Sequence, residues 1–152
     1  MIELILFMGL FSILIFVIAD IFVASLNAKI TGESTAYVVQ DSRFILSKFA
    51  NDLNNANSIV SPPLGNSSST LDFILYGQPE EYRLNNNNLE LVIGSNAYVL
   101  NGQNTQLTSL TFQTIASQSA KTTVRINFTI QSKELVDGTT QVINSETTIG
   151  LR

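Results

Sequence analysis

The stretch that decides the fold is MIELILFMGLFSILIFVIAD, residues 1–20. From Leu4 to Ala19 nothing is more polar than Gly9 and Ser12, and beyond Asp20 the apolar run resumes as IFVASL before the first basic residue, Lys29. About 20 apolar residues in a helix cross the hydrocarbon core of a bilayer. The composition therefore predicts a membrane-length helix. Glu3 stands at the head of that run. A carboxylate there costs roughly 2.5–3.5 kcal/mol near a helix centre, and less towards an end. Either Glu3 lies at headgroup level, or it has a partner.

A cleaved secretory signal is a poor fit to the same residues. Such a signal needs a basic start, an apolar core of about 7–15 residues and small residues before the cleavage point. Here the charge preceding the run is acidic, the run is too long, and Leu26-Asn27-Ala28 puts a bulky Leu where a small residue is required. An uncleaved anchor is expected.

The apolar run gives way to a polar but still helical pattern at Lys29. Tyr37, Val38, Phe44, Ile45, Phe49, Leu53, Ala56 and Val60 fall on one broad stripe at about 100° per residue. Gln40, Arg43, Asn51 and Asn54 occupy the opposite side, and Ser61-Pro62-Pro63 is the stop signal. Gly32 is the one weak point, at roughly 1 kcal/mol relative to Ala. A single helix is thus predicted to face lipid with its first half and a folded head with its second.

After the Ser-rich loop GNSSST, alternation with a period of two takes over. Leu71, Phe73 and Leu75 share a face, as do Leu89, Leu91 and Ile93; Leu110 and Phe112; Val124, Ile126, Phe128 and Ile130; and Ile149 with Leu151. The asparagines at 85–88 suit a hairpin because Asn tolerates left-handed backbone, and Asn101-Gly102 and Asp137-Gly138 are further turn signals. Connections this short predict antiparallel pairing. One face of the sheet then needs cover, and the long helix is the apolar stripe available. The expected fold is α+β, with an antiparallel sheet laid across the second half of a long N-terminal helix. Three segments follow: residues 1–27 as the membrane half of the helix, 28–61 as its amphipathic half, and 62–152 as the sheet. Residues 28–152 form one folding unit.

Composition narrows function mostly by exclusion. The 152 residues carry a net charge of −4, with eight scattered Lys and Arg, so no basic patch points to nucleic acid. The absence of Cys and His removes disulfides, thiol catalysis, the usual zinc sites and His-based triads. No enzyme and no cofactor are expected. Glu80-Glu81 with Asp72 and Glu90 offer carboxylates for calcium, but lack the D-x-[DN]-x-[DN]-G spacing and read as solvated strand ends. The serines at 67–69 lack a nucleophile elbow and a base. Asn66-Ser67-Ser68 and Asn127-Phe128-Thr129 fit N-x-[ST], a short match that arises readily in an Asn- and Ser-rich chain.

The opening MIELILFMGLFSILIFVIADIF resembles the mature N-terminus of type IV pilins and type II secretion pseudopilins, in which Gly-Phe-Thr-Leu-Ile-Glu-Leu begins the long helix. Ile2-Glu3-Leu4 matches the last three residues of that motif, and SLTF (109–112), VRINFTI (124–130) and TTIGLR (147–152) resemble the C-terminal strands of minor members. The resemblance implies that Glu3 neutralises the N-terminal amine of a neighbouring subunit during assembly. It implies as partners other pilin or pseudopilin subunits, the cytoplasmic membrane, a prepilin peptidase and an assembly platform. It further implies an in-frame extension before Met1 that carries basic residues and ends in Gly followed by a Phe-Thr-like pair. Met1 stands where the family has Leu, and Phe22 lies where many major pilins have a kinking Pro, which leans towards a minor subunit. Asp20 either pairs with a neighbour within the fibre or marks the membrane edge. The expected function is a structural subunit of a pilus or pseudopilus. It would be a single-pass membrane protein with its head outside the cytoplasm before assembly, then part of a cell-surface or periplasmic filament. The alternative is a membrane-anchored extracytoplasmic binding module.

Overall fold

A computed structural model describes residues 2–115, 122–135 and 138–152. One helix, α1 (Ile2–Asn55), extends for 54 residues, roughly 80 Å at 1.5 Å per residue. The strands are β1 (Ala56–Ser61), β2 (Ser67–Ser68), β3 (Thr70–Leu75), β4 (Gln78–Asn85), β5 (Asn88–Ile93), β6 (Asn96–Val99), β7 (Thr105–Ile115), β8 (Thr123–Ser132) and β9 (Val142–Gly150). All their pairings are antiparallel. The fold is α+β, a long N-terminal helix packed on antiparallel sheets.

The helix stops earlier than its apolar stripe suggests. Ala56 and Val60, expected on the helix, lie in β1, which follows Asn55 without a loop. Two forces act here. The Asn-rich segment 54–57 is a poor helix former while Ile59 and Val60 are β-branched. The edge of β3 also offers unpaired backbone groups, which β1 satisfies through pairs such as Ile59 with Phe73.

The strands form two sheets rather than one, ordered β1-β3-β4-β5-β6 and β2-β7-β8-β9. A single helix is too narrow to cover the apolar faces of all these strands, so β7 also packs against β3, β4 and β5 of the first sheet. Ser67 and Ser68, expected in a loop, pair with Gln113 and Phe112 at the edge of the second sheet. The Asn hairpin forms as its residues predict: Asn86 and Asn87 both take positive φ (47° and 62°) between β4 and β5. Asp137 lies outside the described residues, whereas Gly138 has φ of 77°.

Phe49 is the hub of the core. Its ring meets Tyr82 of the first sheet edge-on at 4.8 Å, and Phe112 and Phe128 of the second at 5.7 and 6.2 Å. Around it Val38, Ile45, Leu53, Leu71, Phe73, Ile126 and Ile130 are fully buried. The alternating inward sets expected on β3, β7 and β8 are the buried sets observed. The head is held by apolar packing of both sheets against one face of the helix.

Candidate assembly surface and helix–head junction

Every residue from 2 to 26 is exposed, although this segment is the most apolar in the chain. The helix is long and apolar enough near its N-terminus to cross a membrane. Glu3 and Asp20 lie within it, roughly 25 Å apart along the axis and about 100° apart around it, so they do not meet. Among the described residues neither makes an ion pair or a side-chain hydrogen bond. Asp20 lies on the same side of the helix as Val38, about five turns below it, and so beneath the face that the head covers.

The face buried against the head is Ser34, Val38, Ser42, Ile45, Phe49, Asp52 and Leu53. It differs from the expected stripe, because Tyr37 and Phe44 point aside and remain 39% and 49% exposed. Hydrophobicity alone could not locate this face, since three of its members are polar and two large apolar residues flank it. With Ile30, 38% exposed, Tyr37 and Phe44 recur every seven residues along one flank. That spacing keeps a row of side chains nearly aligned on a helix. The row begins just beyond the apolar segment and rises alongside the head without being covered by it.

Polar contacts fasten the two parts. The Ser34 hydroxyl donates to Glu134 Oε2 at 3.1 Å, and the hydroxyls of Ser42 and Ser145 share a hydrogen bond of 3.0 Å. The Asp41 carboxylate accepts from the backbone N–H of Gly102 at 2.7 Å and from the hydroxyl of Thr105. Asn101 is buried beside this clamp: it accepts from Leu89 N–H and donates to the carbonyl of Thr105. Farther up the helix, Asp52 accepts from Tyr82, from Lys48 and from Asn51. Glu80 faces the same cluster, with Oε2 buried and unpartnered. Burial, together with the neighbouring Asp52 carboxylate and only partly offset by Lys48, holds the Glu80 carboxyl above its ordinary pKa. Burial and the Asp52 hydrogen bond also raise the Tyr82 hydroxyl, so it remains a donor at any ordinary pH.

The carboxylates considered for calcium are distributed over both sheet faces. Asp72 and Glu81 oppose each other on the outer face, Glu80 shares the inner row of Phe73 and Ile93, and Glu90 is bound by Arg83 at 2.9 Å and Asn85 at 3.0 Å. Ser68 accepts from the backbone N–H of Thr70 at 3.1 Å, a turn contact, and its hydroxyl also meets that of Thr70 at 3.2 Å. Asn127 lies mid-strand in β8 and Asn66 in the exposed connection after Pro63. Comparisons with protein-family models, curated proteins and solved structures give no match to this chain.

Proposed function

We propose that this chain is a structural subunit, of the minor kind, of a type IV pilus or type II secretion pseudopilus. It is held in the membrane by α1 and drawn from there into a helical fibre. The observation that carries this reading is the exposed row Ile30, Tyr37 and Phe44. A bilayer core about 30 Å thick is filled by about 20 residues, and Phe44 lies roughly 27 Å along the helix beyond Leu26. Lipid therefore does not reach Phe44, and the head leaves it bare. An apolar row continuous with the membrane face and left open beside the head fits a protein neighbour. Glu3, costly in lipid, gains a reason from the same arrangement: in a fibre core it meets the N-terminal amine of an adjacent subunit. The head lies outside the cytoplasm, and a prepilin peptidase and an assembly platform are the partners the resemblance brings with it.

A second reading, a membrane-anchored binding module, draws on the shallow groove lined by Ser109, Asn127, Thr129, Asn144 and Glu146 on the outer face of the second sheet. Cysteine cross-linking separates the two. The chain contains no Cys, so Tyr37→Cys and Phe44→Cys introduce unique thiols. A fibre subunit gives ladders of oxidised oligomers in sheared filaments. A module that stays in the membrane without such ladders is the second reading.

A further inference from the structure

Each sheet has two edge strands, and three of these four edges are guarded. β1 is bulged at two points of its pairing with β3, β2 is two residues long and β6 four. The fourth, β9, extends for nine residues without a register shift, a proline or a lysine. Bulges, brevity, Pro and Lys are the usual means by which proteins keep an edge from pairing with another chain. We propose that the β9 edge takes up an extended strand of a different protein, apolar on the side facing α1 and basic opposite Glu146. This goes beyond the fibre reading and applies equally to an anchored module, so its failure leaves both as they stand.

The ladder fixes which backbone groups are open. Leu151 N–H donates to the Thr122 carbonyl at 3.0 Å and Ser132 N–H to that of Gln141 at 2.9 Å, with an unbroken register between them. Antiparallel pairs alternate between bonded and non-bonded. Ile143, Ser145, Thr147 and Ile149 therefore bond β8, while Val142, Asn144, Glu146, Thr148 and Gly150 aim N–H and C=O away from it. These last five are all exposed, and among the described residues no backbone hydrogen bond outside the sheets ends on them. On the inward side, the Ser42 hydroxyl meets that of Ser145. Leu46 and Ala50 follow Ser42 at four-residue steps along the same side of α1 and remain only partly buried. An added strand finds an apolar flank there. On the outer side the middle residue is Glu146, whose pair with Arg125 is exposed and 3.5 Å long. Such a pair holds its carboxylate weakly and leaves it open to a second cation. A second β9 paired two-fold about Glu146 would instead set two carboxylates opposite each other, which is destabilising. The charge thus selects a basic strand of another protein over a second copy.

The test is fluorescence anisotropy of a labelled peptide, Thr-Val-Thr-Val-Lys-Val-Thr-Val-Thr, titrated with the full chain in phospholipid nanodiscs. Its valines alternate to face α1 and its lysine falls opposite Glu146. Saturable binding is expected. Glu146→Lys should weaken it at least tenfold, and replacing the peptide's Lys by Glu should restore it. Thr148→Pro removes an outward N–H that the ladder does not use, a position where an edge strand tolerates proline, and should also weaken binding at least tenfold. A peptide N-methylated at its Lys and at the nearest Thr on either side lacks the donors for the edge and should not bind. Amide exchange gives a second readout: with peptide present, Asn144, Glu146 and Thr148 should slow at least tenfold while Ser145 and Thr147 keep their rates. No saturable binding, or equal binding of the N-methylated peptide, overturns strand addition at β9. Tighter binding of a peptide copied from residues 142–150 makes a second copy the occupant and overturns the choice of a different protein.

Discussion

The Tyr82 hydroxyl donates to Oδ2 of Asp52, a carboxylate that is 1% exposed, and so ties the first sheet to the helix. Lys48 approaches the same oxygen at 2.9 Å. Hydrogen bonds to charged acceptors contribute about 1.5–3 kcal/mol. Tyr82→Phe should cost about 2 kcal/mol in urea unfolding of residues 29–152. Asp52→Ala should cost more, on the order of 3 kcal/mol, because it strands a buried hydroxyl as well as Lys48.

Glu80 gives the same junction a pH dependence of opposite sign to that of most carboxylates. Its folded pKa lies above 4.5, chiefly through burial and then through Asp52. The unfolded chain therefore ionises first as pH rises, and the folded state loses stability upward through the window that starts near 4.5. Glu80→Gln removes this loss. The urea midpoint of the variant should exceed that of the wild type at pH 7–8, and the two should converge at pH 4. A gap that widens towards acid would contradict the burial of this carboxyl.

Gly102 is demanded by close approach, since a Cβ there would lie 2.8 Å from Asp41 Oδ2. Gly102→Ala should push the carboxylate away and forfeit its bonds to Gly102 and Thr105, at about 1–3 kcal/mol. Asp41→Ala forfeits the same bonds. The double variant should cost clearly less than the sum of the two, and a double-mutant cycle by chemical denaturation measures the difference.

Substituting Glu3 tests assembly. If it neutralises a neighbour's amine, Glu3→Leu leaves that charge unpaired in an apolar core, at roughly 3–5 kcal/mol where fully buried. At about 1.4 kcal/mol per tenfold, incorporation falls more than a hundredfold. The protein should then accumulate in membranes with its head folded and be missing from sheared filaments, with Glu3→Asp intermediate. Normal incorporation of the Leu variant would remove Glu3 from the assembly mechanism.

Residues 29–152 should be soluble and fold cooperatively, whereas residues 63–152 should aggregate. The shorter piece lacks Val38, Ile45, Phe49 and Leu53, which cover both sheets, and also lacks β1, which covers the edge of β3. Light scattering and circular dichroism of the two fragments decide the matter.

The long helix, the alternating strands and the Asn86-Asn87 turn were legible in the sequence, because each depends on neighbours within a few residues. An apolar run of membrane length announces itself by composition, and inward strand positions such as Phe73, Phe112 and Ile126 announce themselves by alternation. Tertiary contacts decided the rest. Residues 56–60 left the helix because β3 offered a ladder to complete, and the strands divided into two sheets because one helix cannot cover them all. The helix turned Ser34, Ser42 and Asp52 inward and left Tyr37 and Phe44 outside, since Glu134, Ser145 and Tyr82 wait as partners on the head. Those partners lie 100, 103 and 30 residues away in the chain, a separation that no local periodicity encodes.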